Sequence, residues 1–290
     1  MGRAPALSPP SASNRSMKNI LGGLAVFAVG AAWPVRAAPA APATSAAAPT
    51  ESRGTTAVVW KTLAPGAERG ISGDATDRLE MFRFDLDRYD AEVVVGGRAR
   101  QAGARVWMPG ARHSAAELLH RAGTSQVVAV VNGGFFDDRG RSLGLRLIHG
   151  AAAVPFRDHV DWGVFTVADR RARIVHSRDF AVASNIQAAI QVGPRILIAG
   201  TVPSLKPQLA RRTAVAIDRG GKSVTLIVAD APVDAAVLGS RLASLGFDSA
   251  LLLDGGPSTQ IAVALGGSRA GALEIPGGYP VPDLLAIVRR

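Results

Sequence analysis

Short apolar runs of strand length recur along the chain from residue 57 onward. Runs that are β-branched or alternate with polar residues predict strands at residues 57–63, 79–86, 91–95, 145–148, 163–167, 172–175, 190–198, 213–217, 223–228, 261–264 and 284–288. The run at 126–131 is continuously apolar, which is typical of a strand buried on both faces, and the run at 248–253 predicts a central strand. Between 213–217 and 223–228, the sequence Asp218-Arg219-Gly220-Gly221 predicts a hairpin turn.

Two segments have helical periodicity. Residues 113–122 predict a short helix that ends at Gly123. Residues 233–245 predict a longer helix that ends at Gly246, because one face gathers its apolar residues, Val233, Val237, Leu238, Leu242 and Leu245. Strands outnumber these helices and do not alternate strictly with them. The pattern therefore predicts an α+β fold, a single domain with a mixed β-sheet core and a few helices.

The N-terminal residues have the pattern of an export signal. Lys18 precedes an uncharged, mostly apolar stretch at 20–32, and small residues that suit a signal peptidase follow at 35–40. The apolar stretch is shorter than the ~20 residues of a membrane span. We expect a signal peptide within residues 1–37, with 1–16 upstream of the true start. The protein is then periplasmic or secreted, with no stable membrane span after signal removal; an uncleaved anchor is the alternative.

Composition separates a linker from the folded part of the chain. Residues 38–56 are rich in Ala, Pro, Ser and Thr, which is typical of a linker. We expect a single folded domain over residues 57–290, a length that suffices for one large domain with a proper core.

Charge and cysteine content exclude several function classes. The formal charge is +10, yet basic residues beyond the N-terminus form only short pairs such as Arg170-Arg171 and Arg211-Arg212. Such pairs do not predict a nucleic-acid partner. The basic surface suits either solubility or an anionic substrate. The absence of Cys excludes disulfides, a thiol nucleophile and a Cys-ligated metal.

Three apolar strands begin or end at residues that could carry chemistry. Asn132-Gly133-Gly134 and Asp254-Gly255-Gly256 each follow a strand, and Arg212-Thr213 opens another. A polar residue at a strand end is held rigidly while its head reaches a cleft, and adjacent glycines let a ligand approach the backbone. Both glycine motifs are also ordinary turn sequences. Because neighbouring strands of one sheet bring such ends together, we expect Asn132, Arg212 and Asp254 to converge.

A series of motifs extends this pattern along the chain. In order, they are Asn132-Gly-Gly-Phe-Phe-Asp137, residues 145–150, Gln191-Val-Gly-Pro194, Arg212-Thr213-Ala214, Leu253-Asp254-Gly-Gly-Pro-Ser258-Thr259 and the closing residues 281–288. This series resembles the phosphodiester glycosidase family over most of the predicted domain. The resemblance implies hydrolysis of a sugar-1-phosphodiester between the anomeric carbon and phosphate, which releases sugar and a phosphomonoester. It also implies that the site is lined by Asn132, Arg212, Thr213, Asp254 and Gly255.

Each candidate residue suits one part of this chemistry. A carboxylate can stabilise an oxocarbenium-like state or attack it, and Asp254 follows the most apolar strand and opens the most glycine-rich loop. The leaving phosphate suits a bidentate Arg212, and Asn132 could orient a sugar hydroxyl or the phosphate. The expected substrate-binding residues are Thr213, Gly133, Gly134, Gly255, Gly256, Ser258, Thr259, Gln191 and Asp137. A second carboxylate stays open among Asp137, Asp138, Asp218 and Asp230.

Two other functions stay open from the sequence. One is an envelope protein that binds a glycan or anionic polymer without cutting it, and the other is a phosphodiesterase that cleaves P–O rather than C–O. The expected partner is a sugar-phosphate or envelope glycan substrate. We expect no cofactor and no metal site, because the five His have no ligand spacing; a divalent cation is possible but not indicated.

Overall fold

Seventeen strands form three sheets within residues 58–95, 112–121, 126–148, 150–265 and 272–290, the part of the chain that the computed structural model describes. In chain order they are β1 (Val59–Ala64), β2 (Ala67–Ser72), β3 (Leu79–Asp85), β4 (Tyr89–Val95), β5 (Val127–Asn132), β6 (Arg146–Ile148), β7 (Ala151–Val154), β8 (Gly163–Ala168), β9 (Arg171–His176), β10 (Ile186–Val192), β11 (Arg195–Leu197), β12 (Leu209–Ile217), β13 (Ser223–Asp234), β14 (Ser249–Leu252), β15 (Ile261–Val263), β16 (Leu273–Ile275) and β17 (Asp283–Arg289). The predicted signal peptide and linker lie outside the described residues.

The largest sheet has seven strands in the order β1-β2-β3-β13-β12-β14-β11. Two five-stranded sheets have the orders β7-β6-β10-β8-β9 and β16-β15-β5-β17-β4. All pairings within these three described sheets are antiparallel. The predicted hairpin turn at 218–221 joins β12 to β13, whose registered pairs include Ile217 with Val224.

The main core lies where the inner faces of the three sheets meet. It packs Phe82 of β3, Val131 of β5, Phe165 of β8, Val215 of β12 and Leu285 of β17, all of them buried. Burying a side chain of this size stabilises the fold by roughly 1.5–3 kcal/mol. Since β5 and β14 are buried along their whole length, the residues that follow them are held firmly.

Two α-helices cover outer faces of the sheets. The first, α1 (Ala115–Arg121), packs Leu118 and Leu119 against β5, β15 and β17. The second, α2 (Ala235–Ser244), packs Leu238 and Leu242 on the seven-stranded sheet. Strands thus dominate the described residues, so the predicted α+β class holds only approximately. Neither described helix is long and apolar enough to cross a membrane.

The structure corrects two of the predicted elements. The strand expected at 190–198 is divided into β10 and β11, since Pro194 has no N–H to continue the ladder. The helix expected from Val233 begins two residues later, because Val233 still pairs with Ala210 in the sheet. Asp234 caps this helix by accepting a hydrogen bond from the Ala236 N–H at 2.9 Å.

Other differences are smaller. Val237, expected on the apolar face of α2, is 52% exposed. Three strands, β2, β7 and β16, were absent from the predicted set. β2 and β16 contain charged residues and therefore lack a continuous apolar run, whereas β7 is a four-residue edge strand of the sequence Ala-Ala-Ala-Val.

Candidate active site

Two loops that follow buried strands are joined directly to each other. The Asp254 N–H donates to the carbonyl of Gly133 at 3.0 Å, and the Asn132 Nδ2 donates to the carbonyl of Asp254 at 2.7 Å. Asn132 ends β5 in one sheet, whereas Asp254 follows β14 in another. The two residues therefore meet between sheets, not along neighbouring strands of one sheet as the sequence suggested.

The Asn132 side chain is buried and fully used by protein contacts. Its Oδ1 accepts from the Thr213 hydroxyl at 2.7 Å and from the Gln260 N–H at 3.1 Å. Its Nδ2 reaches the carbonyls of Asp254 and, at 3.3 Å, Gly133. Both Asn132 and Thr213 are 0% exposed. This arrangement suits fixing the loops in place rather than direct contact with a substrate.

Asp254 is the half-buried carboxylate of this cluster. Its Oδ1 accepts from the Gly255 N–H at 3.0 Å, and its Oδ2 accepts from the Ser258 hydroxyl at 2.6 Å. Burial raises the pKa of Asp254 above its ordinary value, and the bonds from Ser258 and Gly255 oppose that rise. Asp283 raises this pKa further and Arg146 lowers it. The carboxylate is thus fixed in orientation but remains partly accessible.

The glycines after Asp254 shape a tight 3-10 turn over Gly256–Ser258. Gly256 has φ +60, a conformation that favours glycine, and a Cβ on Gly255 would lie 2.9 Å from the carbonyl oxygen of Arg211. The N–H groups of Ser258 and Thr259 donate back to Gly255 and Gly256. Ser258 and Thr259 are 0% exposed. Both residues are therefore closed off from solvent, and their assignment as substrate-binding residues stays a prediction.

Arg212 lies beside the Asp254 turn on β12. Its Nε donates to the Val233 carbonyl at 3.2 Å, and its Nη2 donates to the Gln208 carbonyl. A Cβ on Gly255 would lie 4.0 Å from Nη1, so this nitrogen faces the turn. Burial lowers the pKa of Arg212 below its ordinary value, and Asp234 opposes that shift. Only Nη1 has no acceptor among the described residues, so a two-pronged grip through Nε and Nη2 is not available.

Gln191 is placed away from this cluster. Its Oε1 accepts from the N–H groups of Leu145 and Arg157 at 3.0 and 2.9 Å. Its Nε2 donates to the Arg157 carbonyl at 2.8 Å and to Ser177 at 3.1 Å. The fully buried side chain therefore joins β10 to two neighbouring loops, and it has no group left for a substrate.

Asp137 belongs to a surface turn. Its Oδ1 accepts from the N–H groups of Arg139 and Arg141, and its Oδ2 pairs with the Arg141 side chain at 2.7 Å. The hydrogen bond from the Arg141 N–H is the main reason why the pKa of Asp137 is lowered. These contacts stabilise a turn, which the sequence Asp137-Asp138-Arg139-Gly140 also favours. None of them reaches Asp254.

Sequence reasoning missed a buried ion pair behind the Asn132 loop. Arg146 Nε lies 3.1 Å from Asp283 Oδ2, and both side chains are 0% exposed. Asp283 Oδ1 accepts from the Gly134 N–H at 2.7 Å, and its Oδ2 accepts from the Ser142 hydroxyl. Arg146 Nη1 donates to the carbonyl of Gln191 in β10 and to carbonyls of the loop before β6, those of Leu143, Gly144 and Leu145.

The position of this ion pair explains why residues 133 and 134 are glycines. A Cβ on Gly133 would lie 1.8 Å from Asp283 Oδ1, and one on Gly134 would lie 2.4 Å from Arg146 Nη2. The two glycines therefore make room for protein side chains, and both are buried. The sequence contained a sign of this ion pair, since a charged residue lies inside the apolar run at 145–148 and another lies next to the run at 284–288. An unpaired charge is rarely buried, so two such charges indicate a buried pair.

The other proposed carboxylates do not join the cluster. Asp218 accepts from the Ser223 N–H in the β12–β13 turn, and Asp230 pairs with Arg211 at 2.5 Å on the surface. Asp138 lies in the same exposed turn as Asp137. Within the described residues, no group of three or more His, Asp or Glu side chains could hold a metal ion.

The comparison with known protein families gives a match over more than half of the chain. The sequence pattern of the phosphodiester glycosidase family matches residues 125–288. The fold is similar to that of zebrafish N-acetylglucosamine-1-phosphodiester alpha-N-acetylglucosaminidase, solved as a catalytic domain auto-inhibited by pro-peptide. The TM-score is 0.52 at 17% identity, over 80% of this chain and 82% of that one.

A second similar structure is a protein from Synechocystis. Its TM-score is 0.51 at 12% identity, over 82% of this chain and 64% of that one. No curated protein matches the chain. At these identities the structures show the shared fold alone, whereas the sequence match spans β5 and nearly all of β17 and includes Asn132, Arg212 and Asp254. The chain therefore belongs to the phosphodiester glycosidase family.

Proposed function

We propose that this protein is an exported hydrolase that cleaves the glycosidic bond of a sugar-1-phosphodiester and releases sugar and a phosphomonoester. The observation that carries the proposal is the Asp254 carboxylate, half-buried and held by Gly255 and Ser258 beside the Arg212 guanidinium. Membership of the phosphodiester glycosidase family supports the reaction class. The zebrafish relative is named for action on an N-acetylglucosamine-1-phosphodiester, which makes that substrate the first to test.

Asp254 is proposed to act at the anomeric carbon. As the bond from that carbon to the phosphate oxygen breaks, positive charge develops on the sugar ring, and a nearby carboxylate stabilises it. Water supplies a hydroxyl to the anomeric carbon. The phosphomonoester leaves with the bridging oxygen and gains one negative charge. The remaining proton of the water molecule offsets that charge. Two hydrogen bonds already fix the carboxylate, so little reorganisation is needed during the reaction.

Arg212 is proposed to bind the phosphate through Nη1. Its Nε and Nη2 are held by the carbonyls of Val233 and Gln208, so the guanidinium is fixed before the substrate arrives. Burial strengthens the attraction between this cation and an anionic oxygen, because the local dielectric is lower than that of water. Asn132 and Thr213 are then positioning residues, since they hold the Asp254 loop without facing the substrate.

We further propose that residues 57–290 form the catalytic domain and that the protein acts in the periplasm or outside the cell. The support is the apolar stretch after Lys18 and the composition of residues 38–56. N-terminal sequencing of the protein from its native host should give a start near Ala38 or Ala41. An intact Met1 or Met17 on cytoplasmic protein would contradict export without affecting the assigned chemistry.

The test of the reaction is product analysis in ¹⁸O-labelled water. A panel of sugar-1-phosphodiesters, beginning with an α-linked N-acetylglucosamine compound, should yield free sugar that carries the label. Label in the phosphate instead would indicate a phosphodiesterase that cuts P–O. Saturable binding of the panel with no product from any member would indicate a binding protein, and either result would reject the proposed glycosidase.

A further inference from the structure

Tyr279 is an exposed aromatic residue at the edge of the proposed site. The residue is 41% exposed, although large apolar side chains are normally buried. Its hydroxyl lies 3.3 Å from the Ser258 Oγ, and Ser258 in turn donates to Asp254 Oδ2 at 2.6 Å. One shared hydroxyl group therefore separates this aromatic ring from the candidate catalytic carboxylate.

The ring is held in place rather than free to move. The Gly278 N–H donates to the Pro257 carbonyl at 2.7 Å, which ties the segment before Tyr279 to the Asp254 turn. The Gln260 Nε2 donates to the Tyr279 carbonyl at 3.4 Å. The ring meets Phe136 edge to face, with centroids 6.2 Å apart and an interplanar angle of 88°. These contacts fix the ring and still leave part of it open to solvent.

Space is available next to this ring. Tyr279 lines a cavity of about 240 Å³ together with Gln260, Pro276, Gly277 and Gly278. The Gln260 side chain is buried and bonded to the protein, so the wall on that side is preformed. Binding sites for small ligands combine such preformed apolar or aromatic walls with a few polar groups that fix orientation. The cavity is lined by Glu274 but not by Asp254, and Asp254 is linked to it through Ser258 and the Tyr279 hydroxyl.

We propose that Tyr279 is a substrate-contacting residue whose exposed ring supports the sugar next to Asp254. A pyranose has an apolar face of C–H groups and polar edges, which an amphipathic ring with one hydroxyl can match. The inference rests on the proposed function, because it takes the sugar to be the part of the substrate that lies at Asp254. It adds a residue that neither the motifs nor the strand ends had indicated.

The test compares Tyr279→Ala with Tyr279→Phe on a hydrolysed sugar-1-phosphodiester. Tyr279→Ala should raise KM by about tenfold or more, because the sugar loses its supporting ring. Tyr279→Phe should keep KM within about threefold, since the ring remains. An unchanged KM in Tyr279→Ala, or equal losses in both variants, would overturn the proposed ring contact.

Tyr89 provides a matched control. It is the only other tyrosine in the chain, it is 3% exposed, and its hydroxyl donates to the Pro65 carbonyl at 3.3 Å. Tyr89→Phe should leave KM unchanged. Tetranitromethane should likewise nitrate Tyr279 and spare Tyr89, because the reagent needs access to the ring.

Protection from nitration separates this inference from the proposed function. α-N-Acetylglucosamine-1-phosphate and free N-acetylglucosamine should each slow nitration of Tyr279 several-fold at saturating concentration. Protection without turnover of any diester would reject the glycosidase and keep the sugar contact. Turnover without protection by either probe, with an unaffected KM in Tyr279→Ala, would reject the contact and keep the glycosidase.

Discussion

Asp254 and Asp283 are each held by the same two kinds of donor, a glycine N–H and a serine hydroxyl. Asp254 accepts from the N–H of Gly255 and the hydroxyl of Ser258. Asp283 accepts from the N–H of Gly134 and the hydroxyl of Ser142. Asp254 follows the apolar strand β14, Asp283 opens the apolar strand β17, and Asp283 raises the pKa of Asp254.

The two aspartates differ in exposure and in charge compensation. Asp283 is 1% exposed and forms an ion pair with Arg146, whereas Asp254 is half-buried and has no ion pair with any described residue. A buried, paired carboxylate is part of the framework, because separating the charges would leave one of them uncompensated. A fixed carboxylate without a paired cation is free to stabilise charge on a ligand. The comparison therefore favours a structural role for Asp283 and supports the chemical role proposed for Asp254.

The largest expected effect is on activity in Asp254→Asn. This substitution keeps the side-chain size and removes the charge that the proposed transition state needs. Turnover of a sugar-1-phosphodiester should fall on the order of a thousandfold or more, while the unfolding temperature in a thermal melt changes little. A variant that stays active, or one that unfolds, would contradict the proposed catalytic role of Asp254.

The matching substitution Asp283→Asn should act on stability instead. It leaves Arg146 as a fully buried cation without its counterion, which costs about 3–5 kcal/mol of unfolding free energy. Urea denaturation monitored by tryptophan fluorescence measures this loss. Asp137→Asn is the control, because Asp137 pairs with Arg141 in a surface turn and its removal should barely shift the midpoint.

A smaller effect is expected from Arg212→Lys. Lysine keeps the positive charge but cannot reproduce the bonds from Nε and Nη2 to Val233 and Gln208, so the cation is no longer held beside Gly255. We expect kcat/KM to fall about ten- to a hundredfold. Arg211→Lys, on the same strand but paired with Asp230 at the surface, should stay near wild type. Equal losses in both variants would argue against a specific role for Arg212.

The smallest effect concerns the pH dependence of stability. Because the pKa of Asp254 is raised in the folded protein, the folded state binds more protons than the unfolded state just above the ordinary value of 3.8. Wild type should therefore lose stability relative to Asp254→Asn as the pH rises from 3.8 through the folded pKa. Thermal melts of both proteins between acid and neutral pH measure the gap. A gain in the stability of wild type relative to Asp254→Asn with rising pH would show instead that the ionised carboxylate is stabilised by its surroundings.

The sequence by itself determined the local elements around the site. The apolar runs before Asn132 and Asp254 became β5 and β14, since burial on both faces leaves a pattern that needs no knowledge of the partner strands. The turn after Asp254 was also readable, because Gly256 adopts a positive φ that few other residues tolerate. The Asp218-Arg219-Gly220-Gly221 turn was likewise readable between β12 and β13.

Only the tertiary structure decided what these residues contact. Asn132 and Asp254 were expected to converge along one sheet, but they meet between two sheets because loops, not strand ladders, join them. The glycines of the Asn132 loop were attributed to a ligand, yet they make room for Arg146 and Asp283. The sequence shows only the size and charge of each residue. Which neighbour fills the space or balances the charge depends on pairings between distant segments, and those are fixed only when the three sheets pack together.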